Sequence, residues 1–213
     1  MEVSRPGKLF DYKTLRFLLG LIGLCLPFAV TLASSARLNS ISAAYYTDGK
    51  YILIGTLVVV GILLFAYSGH SVADSRVSKF GSAAAIVSAI SRPACIGCSE
   101  DISSQIHFIS SAVLFLVLAY FCLVPFQMKT RDAGGKKAMR SLIYRICGWT
   151  MLACIAGLGL ANIFLPVATI NEYRLTYYGE ATALIAFGIA FIVSGKMSRF
   201  IAEEDELFRP FGK

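Results

Sequence analysis

Residues 105–128 have the sequence QIHFISSAVLFLVLAYFCLVPFQM, and this stretch decides the fold. The 21 residues from 108 to 128 carry no charge. At a rise of ~1.5 Å per residue they form a helix of about 30 Å, which is the thickness of the hydrocarbon core of a bilayer. The stretch is therefore predicted to span a membrane, with His107 in its first turn.

The composition of the whole chain also indicates a membrane protein. Of its 213 residues, 56% are hydrophobic and only 15% are charged, which is too apolar for a soluble domain of this size. The formal net charge is +7, but the basic residues lie in short loops between apolar runs. That pattern is typical of membrane topology, and we expect no nucleic-acid partner.

Six apolar segments predict an all-α, polytopic transmembrane bundle. They cover residues 17–36, 51–69, 80–91, 105–128, 146–170 and 175–195. The third has only 12 residues before Arg92, so it crosses only if that arginine snorkels outward and the helix continues through Ile96. In the fifth, Gly157 and Gly159 are expected to allow close helix approach, and Pro166 is expected to bend the outer end.

The distribution of positive charge favours six spans with both termini in the cytoplasm. In that topology 16 of the 20 Lys and Arg residues lie inside; if the third segment does not cross, the split becomes 8 inside and 12 outside. We therefore expect a multi-pass protein of the cell inner (cytoplasmic) membrane. Residues 1–16 form a cytoplasmic segment, 17–195 the transmembrane domain and 196–213 a cytoplasmic tail. The first span also resembles a signal peptide, but we expect it to be retained.

His107 and Glu180 are the candidate catalytic residues of a site near the outer surface. Glu180 is the only acid inside an apolar run and lies five residues past Leu175, roughly 7 to 8 Å along the helix axis. A carboxylate at that depth is costly unless it is protonated, paired or faces a polar cavity. Because spans four and six run in the same direction, the imidazole and the carboxyl group are expected to share a site.

Other candidate ligand-binding residues belong to the same end of the bundle. They are Ser110, Ser111, Asn162, Tyr177, Tyr45, Tyr46 and Arg92. Two interpretations stay open: a structural hydrogen bond that joins spans four and six, and a binding or catalytic site. In a catalytic site His107 would be the base and Glu180 its orienter, with water or one of Ser110 and Ser111 as the nucleophile.

Cys95 and Cys98 form a CxxC pair in the loop after the third segment. Three interpretations stay open: a loop-closing disulfide, a redox pair, and a metal site with His107 and a fourth ligand such as Asp101. We predict no metal and no cofactor, because the sequence has no second Cys/His pair. His70 and Asp74, four residues apart, are predicted to form an interfacial ion pair.

Several motifs resemble a family of small bacterial six-span membrane proteins that is distantly similar to the Frag/DRAM/Sfk type. They are SISAAYYTDGKYILIGTL at 40–57, Ile106-His107, LAYF at 118–121, IYRICG at 143–148, Gly179-Glu180, AFG at 186–188 and SGK at 194–196. The family pattern includes a histidine at the start of span four and a glutamate in span six, which match His107 and Glu180. The resemblance implies the six-span fold and no particular activity.

A remoter likeness is to lipid amidohydrolases related to alkaline ceramidases and adiponectin receptors, which bind zinc through three histidines and an aspartate. This chain has two histidines in total, so their zinc chemistry is not implied.

Our leading hypothesis is a protein that binds a membrane lipid or other amphiphile in an outward-facing cavity between spans four, five and six. If it is an enzyme, it is a lipid-directed hydrolase. One alternative is a non-enzymatic accessory or structural subunit with a membrane-protein partner or a second copy. The close-packing glycines and the acidic and aromatic tail at 200–211 are the features that favour it. The other is a small transporter, which the lack of an internal repeat disfavours.

Overall fold

The computed structural model describes residues 12–67, 69, 71–95, 101–128, 130 and 134–196. This part of the chain forms seven α-helices and one 3₁₀ helix, Ser42–Tyr46, and no strand. The α-helices are α1 Tyr12–Ala33, α2 Lys50–Ala66, α3 Val72–Ile90, α4 Ile102–Leu123, α5 Gly135–Phe164, α6 Val167–Glu172 and α7 Leu175–Gly195. The all-α prediction is therefore confirmed for the described residues.

Four of the described helices are long and apolar enough to cross a membrane, namely α1, α4, α5 and α7. The helix α2 is apolar but has only 17 residues. The helix α3 has 19 residues, and Asp74, Arg76 and Lys79 occupy its first turns. By length and composition these four helices indicate a membrane protein.

The six long helices pack in a closed ring in the order α1, α2, α3, α4, α5, α7, with α7 returning to α1. The helices α4 and α7 also touch across the ring. Phe121 of α4 and Phe187 and Phe191 of α7 are almost completely buried in the core. We call the end formed by the α1–α2, α3–α4 and α5–α7 connections the upper end, because these connections line one cavity. The other end is the lower end.

Charged side chains at the lower end are bonded to tyrosines. The guanidinium of Arg16 donates from Nε and Nη2 to the Tyr67 hydroxyl oxygen at 3.0 and 2.8 Å. The hydroxyl of Tyr120 donates to Asp74 Oδ1 at 3.0 Å. These contacts join α1 to the end of α2, and α3 to α4. The partner predicted for Asp74, His70, lies outside the described residues.

The helices α1 and α7 approach each other backbone to backbone at two glycines. A Cβ at Gly20 would lie 2.5 Å from the backbone nitrogen of Ile192, and one at Gly188 would lie 2.6 Å from that of Leu24. No side chain fits in this space. The contact between the first and last long helices therefore depends on glycine at both positions.

The structure corrects three sequence predictions about the helices. Around Gly157 and Gly159 nothing lies within 4 Å of an added Cβ, so the predicted close approach there is wrong. The helix α3 begins at Val72 rather than at residue 80, because Ser71 and Asp74 form a capping box that starts it. The helix α5 begins at Gly135 rather than at 146 and continues through a charged segment, and it ends before Pro166, which lacks a backbone donor.

We expect Gly188→Ala to lower the free energy of unfolding by about 1 to 3 kcal/mol, because its methyl group enters the α1 backbone. Thermal unfolding of the purified protein in detergent measures the change. Gly157→Ala is the matched control: it has the same gain in helix propensity, up to about 1 kcal/mol, without the clash. Equal stability of both variants would contradict the close contact.

Candidate functional site

A cavity of about 560 Å³ lies at the upper end of the bundle. The α1–α2 loop, the segment after α3, the first turns of α4 and α7, the last turn of α5 and α6 all contribute to its walls. The polar side chains that line it include those of Arg37, Ser42, His107, Ser111, Asn162 and Glu180. This volume is within the range of small-molecule binding sites.

A smaller recess of about 60 Å³ adjoins this cavity and extends toward the centre of the bundle. Four polar residues, Ser42, His107, Ser111 and Glu180, line both spaces. Thr56 and Ser88 also line the recess. Its other lining residues are Ile41, a glycine of α1 and apolar side chains of α1, α2, α4 and α7. The four shared residues therefore form a polar junction between a wide polar chamber and a narrow apolar one.

The Glu180 carboxylate binds the start of the 3₁₀ helix. Its Oε2 accepts hydrogen bonds from the backbone nitrogens of Ile41 at 2.6 Å and Ser42 at 3.1 Å, and its Oε1 accepts one from the Ser42 hydroxyl at 3.2 Å. Orphan backbone donors at a helix start and the partial positive charge there suit an anionic oxygen. These contacts hold the α1–α2 loop against α7.

Arg174 fixes the same loop from the start of α7. It has a left-handed backbone conformation, φ 52° and ψ 39°, immediately before the helix. Its Nε donates to the carbonyl oxygen of Leu38 at 2.7 Å, and its guanidinium lies 4.0 Å from the ring centroid of Tyr177. Glu180 and Arg174, at the start of α7, thus bind the α1–α2 loop at two places, the start of the 3₁₀ helix and Leu38.

His107 is buried, 7% exposed, and lies in the second turn of α4. Its Nδ1 is 2.9 Å from the carbonyl oxygen of Ser88 and 3.2 Å from that of Ser91. Because a carbonyl oxygen only accepts, Nδ1 must carry a hydrogen and donate it. In a neutral ring the lone pair is then on Nε2, which makes no hydrogen bond with the described residues. His107 therefore joins α4 to the end of α3 through Nδ1, and its Nε2 stays without a partner among the described residues.

The structure brings His107 and Glu180 to one cavity but does not join them. Among the described residues Glu180 bonds to the α1–α2 loop, and His107 bonds to the end of α3. The interpretation of a structural hydrogen bond between them is therefore wrong. Their separate partners explain this: each group is already fixed by backbone atoms of a neighbouring connection.

The remaining predicted site residues divide into two groups. Ser111, Asn162 and Tyr46 line the cavity, and the Ser111 hydroxyl is 2.7 Å from that of Ser88. Ser110 does not line it, because its hydroxyl donates to the carbonyl oxygen of His107 in its own helix.

Tyr45, Tyr177 and Arg92 also lie off the cavity lining. Tyr45 contacts Lys50, and the Tyr177 hydroxyl is 2.9 Å from Thr31 Oγ1. Arg92 forms an ion pair with Asp101 at 3.1 Å, and Asp101 also caps α4. The three side chains therefore bind other parts of the upper end.

Cys95 lines the cavity and is disulfide-bonded, while Cys98 lies outside the described residues. A cysteine in a disulfide offers no thiolate to a metal, and Asp101 is already paired with Arg92. The described residues contain no group of three or more His, Cys, Asp or Glu side chains suited to a metal.

Sequence reasoning did not assign Arg37 or Ser88 to the site. Arg37 was counted only as a loop charge, because the α1–α2 loop also contains Asp48 and nothing in the sequence singles the arginine out. Ser88 contributes a backbone carbonyl to His107 and a hydroxyl to Ser111. A backbone carbonyl leaves no trace in a sequence, so that role was not predictable.

Comparison of the chain with protein-family models, curated proteins and solved structures found no match. The resemblance to the Frag/DRAM/Sfk type therefore stays a prediction.

Tyr46 bridges two connections at the rim of the cavity. Its hydroxyl donates to the carbonyl oxygen of Pro93 at 2.7 Å, linking the 3₁₀ helix to the segment after α3. Partial burial raises the pKa of this hydroxyl, although Arg92 opposes the effect. The phenol therefore stays protonated and able to donate across the physiological pH range.

We expect Tyr46→Phe to speed amide hydrogen exchange in the α1–α2 loop by about fivefold, as the loss of a hydrogen bond worth about 1 kcal/mol predicts. Mass spectrometry of peptides from this loop measures it. Tyr45→Phe is the control, because the Tyr45 hydroxyl makes no hydrogen bond with the described residues and its ring contact with Lys50 is kept. Equal exchange in the two variants would show that the bridge does not hold the rim.

Proposed function

We propose that this protein is a six-span protein of the cytoplasmic membrane that binds an amphiphile in the upper-end cavity. The observation that carries the proposal is the polar junction of Ser42, His107, Ser111 and Glu180 between a polar chamber and an apolar recess. A ligand that fills both spaces needs a polar head and an apolar tail. Membrane lipids are the abundant molecules with that form.

The arrangement of α2 and α3 supports six spans. Both helices are members of the closed ring, and α3 packs between α2 and α4. At a rise of ~1.5 Å per residue the 19 residues of α3 extend about 28 Å. Arg76 and Lys79 are exposed within two turns of its start, where long basic side chains reach the lower interface. The positive-inside rule then places the lower end in the cytoplasm and the cavity outside.

Binding is better supported than hydrolysis. A serine nucleophile needs a base within hydrogen-bonding reach. The hydroxyl of Ser111 is bonded to Ser88 instead, and that of Ser110 to a carbonyl oxygen of its own helix. Two other nucleophiles are conceivable, the Ser42 hydroxyl, which donates to Glu180 Oε1 at 3.2 Å, and a water on Nε2 of His107. Among the described residues no hydroxyl is bonded to His107 through its ring, so the hydroxyl, imidazole and acid relay of a serine hydrolase is not formed. We therefore propose a binding function and no reaction.

To test amphiphile binding, we would fill the recess with Thr56→Phe, since Thr56 lines it and belongs to neither core cluster. We expect native mass spectrometry of the detergent-purified protein to show at least about fivefold less co-purified lipid than in the wild type.

The control is Ile62→Phe, which adds a ring to the exposed face of the same helix. Thermal unfolding of both variants confirms that they are folded. Equal lipid retention by Thr56→Phe and Ile62→Phe would refute binding in the recess.

The topology has its own test, with alkaline phosphatase fused after Ala94 or after Gly134. The enzyme is active only outside the cytoplasm, so six spans predict activity for the first fusion and none for the second. If α3 does not cross, the result reverses. A fluorescent protein fused after Gly134, which folds in the cytoplasm, is the complementary control.

A further inference from the structure

The polar chamber contains two opposite charges that come from different elements. Arg37 follows α1, and Glu180 belongs to the second turn of α7; both line the chamber. Arg37 forms no hydrogen bond and no ion pair with the described residues. The ion pair found among the described residues joins Arg92 to Asp101, which do not line the chamber. A headgroup in this chamber therefore meets one available guanidinium and one carboxylate.

Glu180 keeps capacity for one more donor. An ionised carboxylate has about four lone-pair positions, and three are used by Ile41 N, Ser42 N and the Ser42 hydroxyl. The free position is on Oε1, which accepts only the Ser42 hydroxyl. A ligand with a protonated primary amine has the N–H donor and the charge that this position suits.

The guanidinium of Arg37 suits a phosphate, which it binds through paired N–H donors. A purely anionic headgroup would be repelled by the Glu180 carboxylate, and a purely cationic headgroup would be repelled by the Arg37 guanidinium. A zwitterionic headgroup satisfies both groups at once. The charges of the chamber therefore favour an aminophosphate headgroup over a singly charged one.

The junction also constrains the rest of the ligand. His107 lines both the chamber and the apolar recess, and its Nε2 carries a lone pair in the neutral ring. The glycerol backbone of a bound lipid would lie at this junction. Nε2 can accept a hydrogen bond from a free glycerol hydroxyl. The recess has about 60 Å³ of space, which is enough for a short segment of one chain and not for two chains side by side. Both features fit a lipid that has lost one of its chains.

We propose that the ligand of the cavity is a single-chain aminophospholipid, with its phosphate on Arg37, its ammonium on Glu180 and its free hydroxyl on His107. This inference rests on the proposed amphiphile-binding function and specifies its ligand class. The probe that represents the class is 1-palmitoyl lysophosphatidylethanolamine.

The experiment measures dissociation constants of four probes for the full chain in detergent by native mass spectrometry. We expect lysophosphatidylethanolamine to bind about tenfold more tightly than monopalmitoylglycerol, which lacks both charges, and lysophosphatidylglycerol, which lacks the amine. We also expect it to bind more tightly than lysophosphatidylcholine, whose quaternary ammonium has no N–H donor.

The decisive variant is Arg37→Gln, because Arg37 makes no contact that the described fold needs. We expect it to bind lysophosphatidylethanolamine about tenfold more weakly and monopalmitoylglycerol as the wild type does. Arg37→Lys keeps the positive charge and should restore most of the affinity. Arg145→Gln, an exposed arginine near the lower end, is the control for net charge and should change neither constant.

The outcomes separate this inference from the function on which it rests. If monopalmitoylglycerol or lysophosphatidylglycerol binds as tightly as lysophosphatidylethanolamine, the headgroup assignment is wrong while amphiphile binding stands. If phosphoethanolamine, the free headgroup, competes at the same concentration, the ligand is a soluble aminophosphate and both proposals fail. If no single-chain probe binds, the single-chain assignment is wrong. If, in addition, Thr56→Phe retains as much lipid as Ile62→Phe, the function itself is overturned.

Discussion

The carboxylate of Glu180 lies inside an apolar bundle, and the structure around it follows from the need to supply its oxygens with donors. Two backbone N–H groups and one hydroxyl at the start of the 3₁₀ helix provide them. The chain between α1 and α2 must therefore fold back over the start of α7, where Arg174 binds it a second time. Residues of this fixed loop line the chamber, so the hydrogen bonds of one carboxyl group help to position a wall of the cavity.

The closed ring gives that loop a rigid base. The ring closes where α1 meets α7, and the closest contacts there are between Gly20, Gly188 and backbone atoms of the facing helix. Backbone contact leaves no room for the two helices to shift past each other without a clash. The α1–α2 loop and Glu180 belong to these same two helices. The glycine contact consequently fixes the distance that the Glu180 hydrogen bonds must bridge.

Charge in the sequence marked the limits of α7 correctly but not the start of α5, which continues through a charged segment, and a limit set by hydrogen bonding was missed. Residues 175–195 were predicted as a helix and are α7, because Arg174 and Lys196 border an apolar run. The start of α3 was missed, since a capping box rather than hydrophobicity sets it. At the site, Glu180 and His107 were found because polar groups are rare in apolar runs. Their partners are backbone atoms, which have no side-chain signature.

Glu180 and His107 each use part of their bonding capacity for the fold, and the rest has no partner among the described residues. Three of the four positions of the carboxylate hold the loop, and one nitrogen of the imidazole holds the end of α3. Groups fixed in this way lose little conformational entropy when a ligand arrives, which favours binding. Catalysis would need a mobile proton and a nucleophile within reach. The hydroxyls of Ser110 and Ser111 are bonded elsewhere, and the Ser42 hydroxyl bonds to Glu180 but not to the imidazole. The proposed binding function rests on this division of each group between contacts of the fold and positions without a described partner.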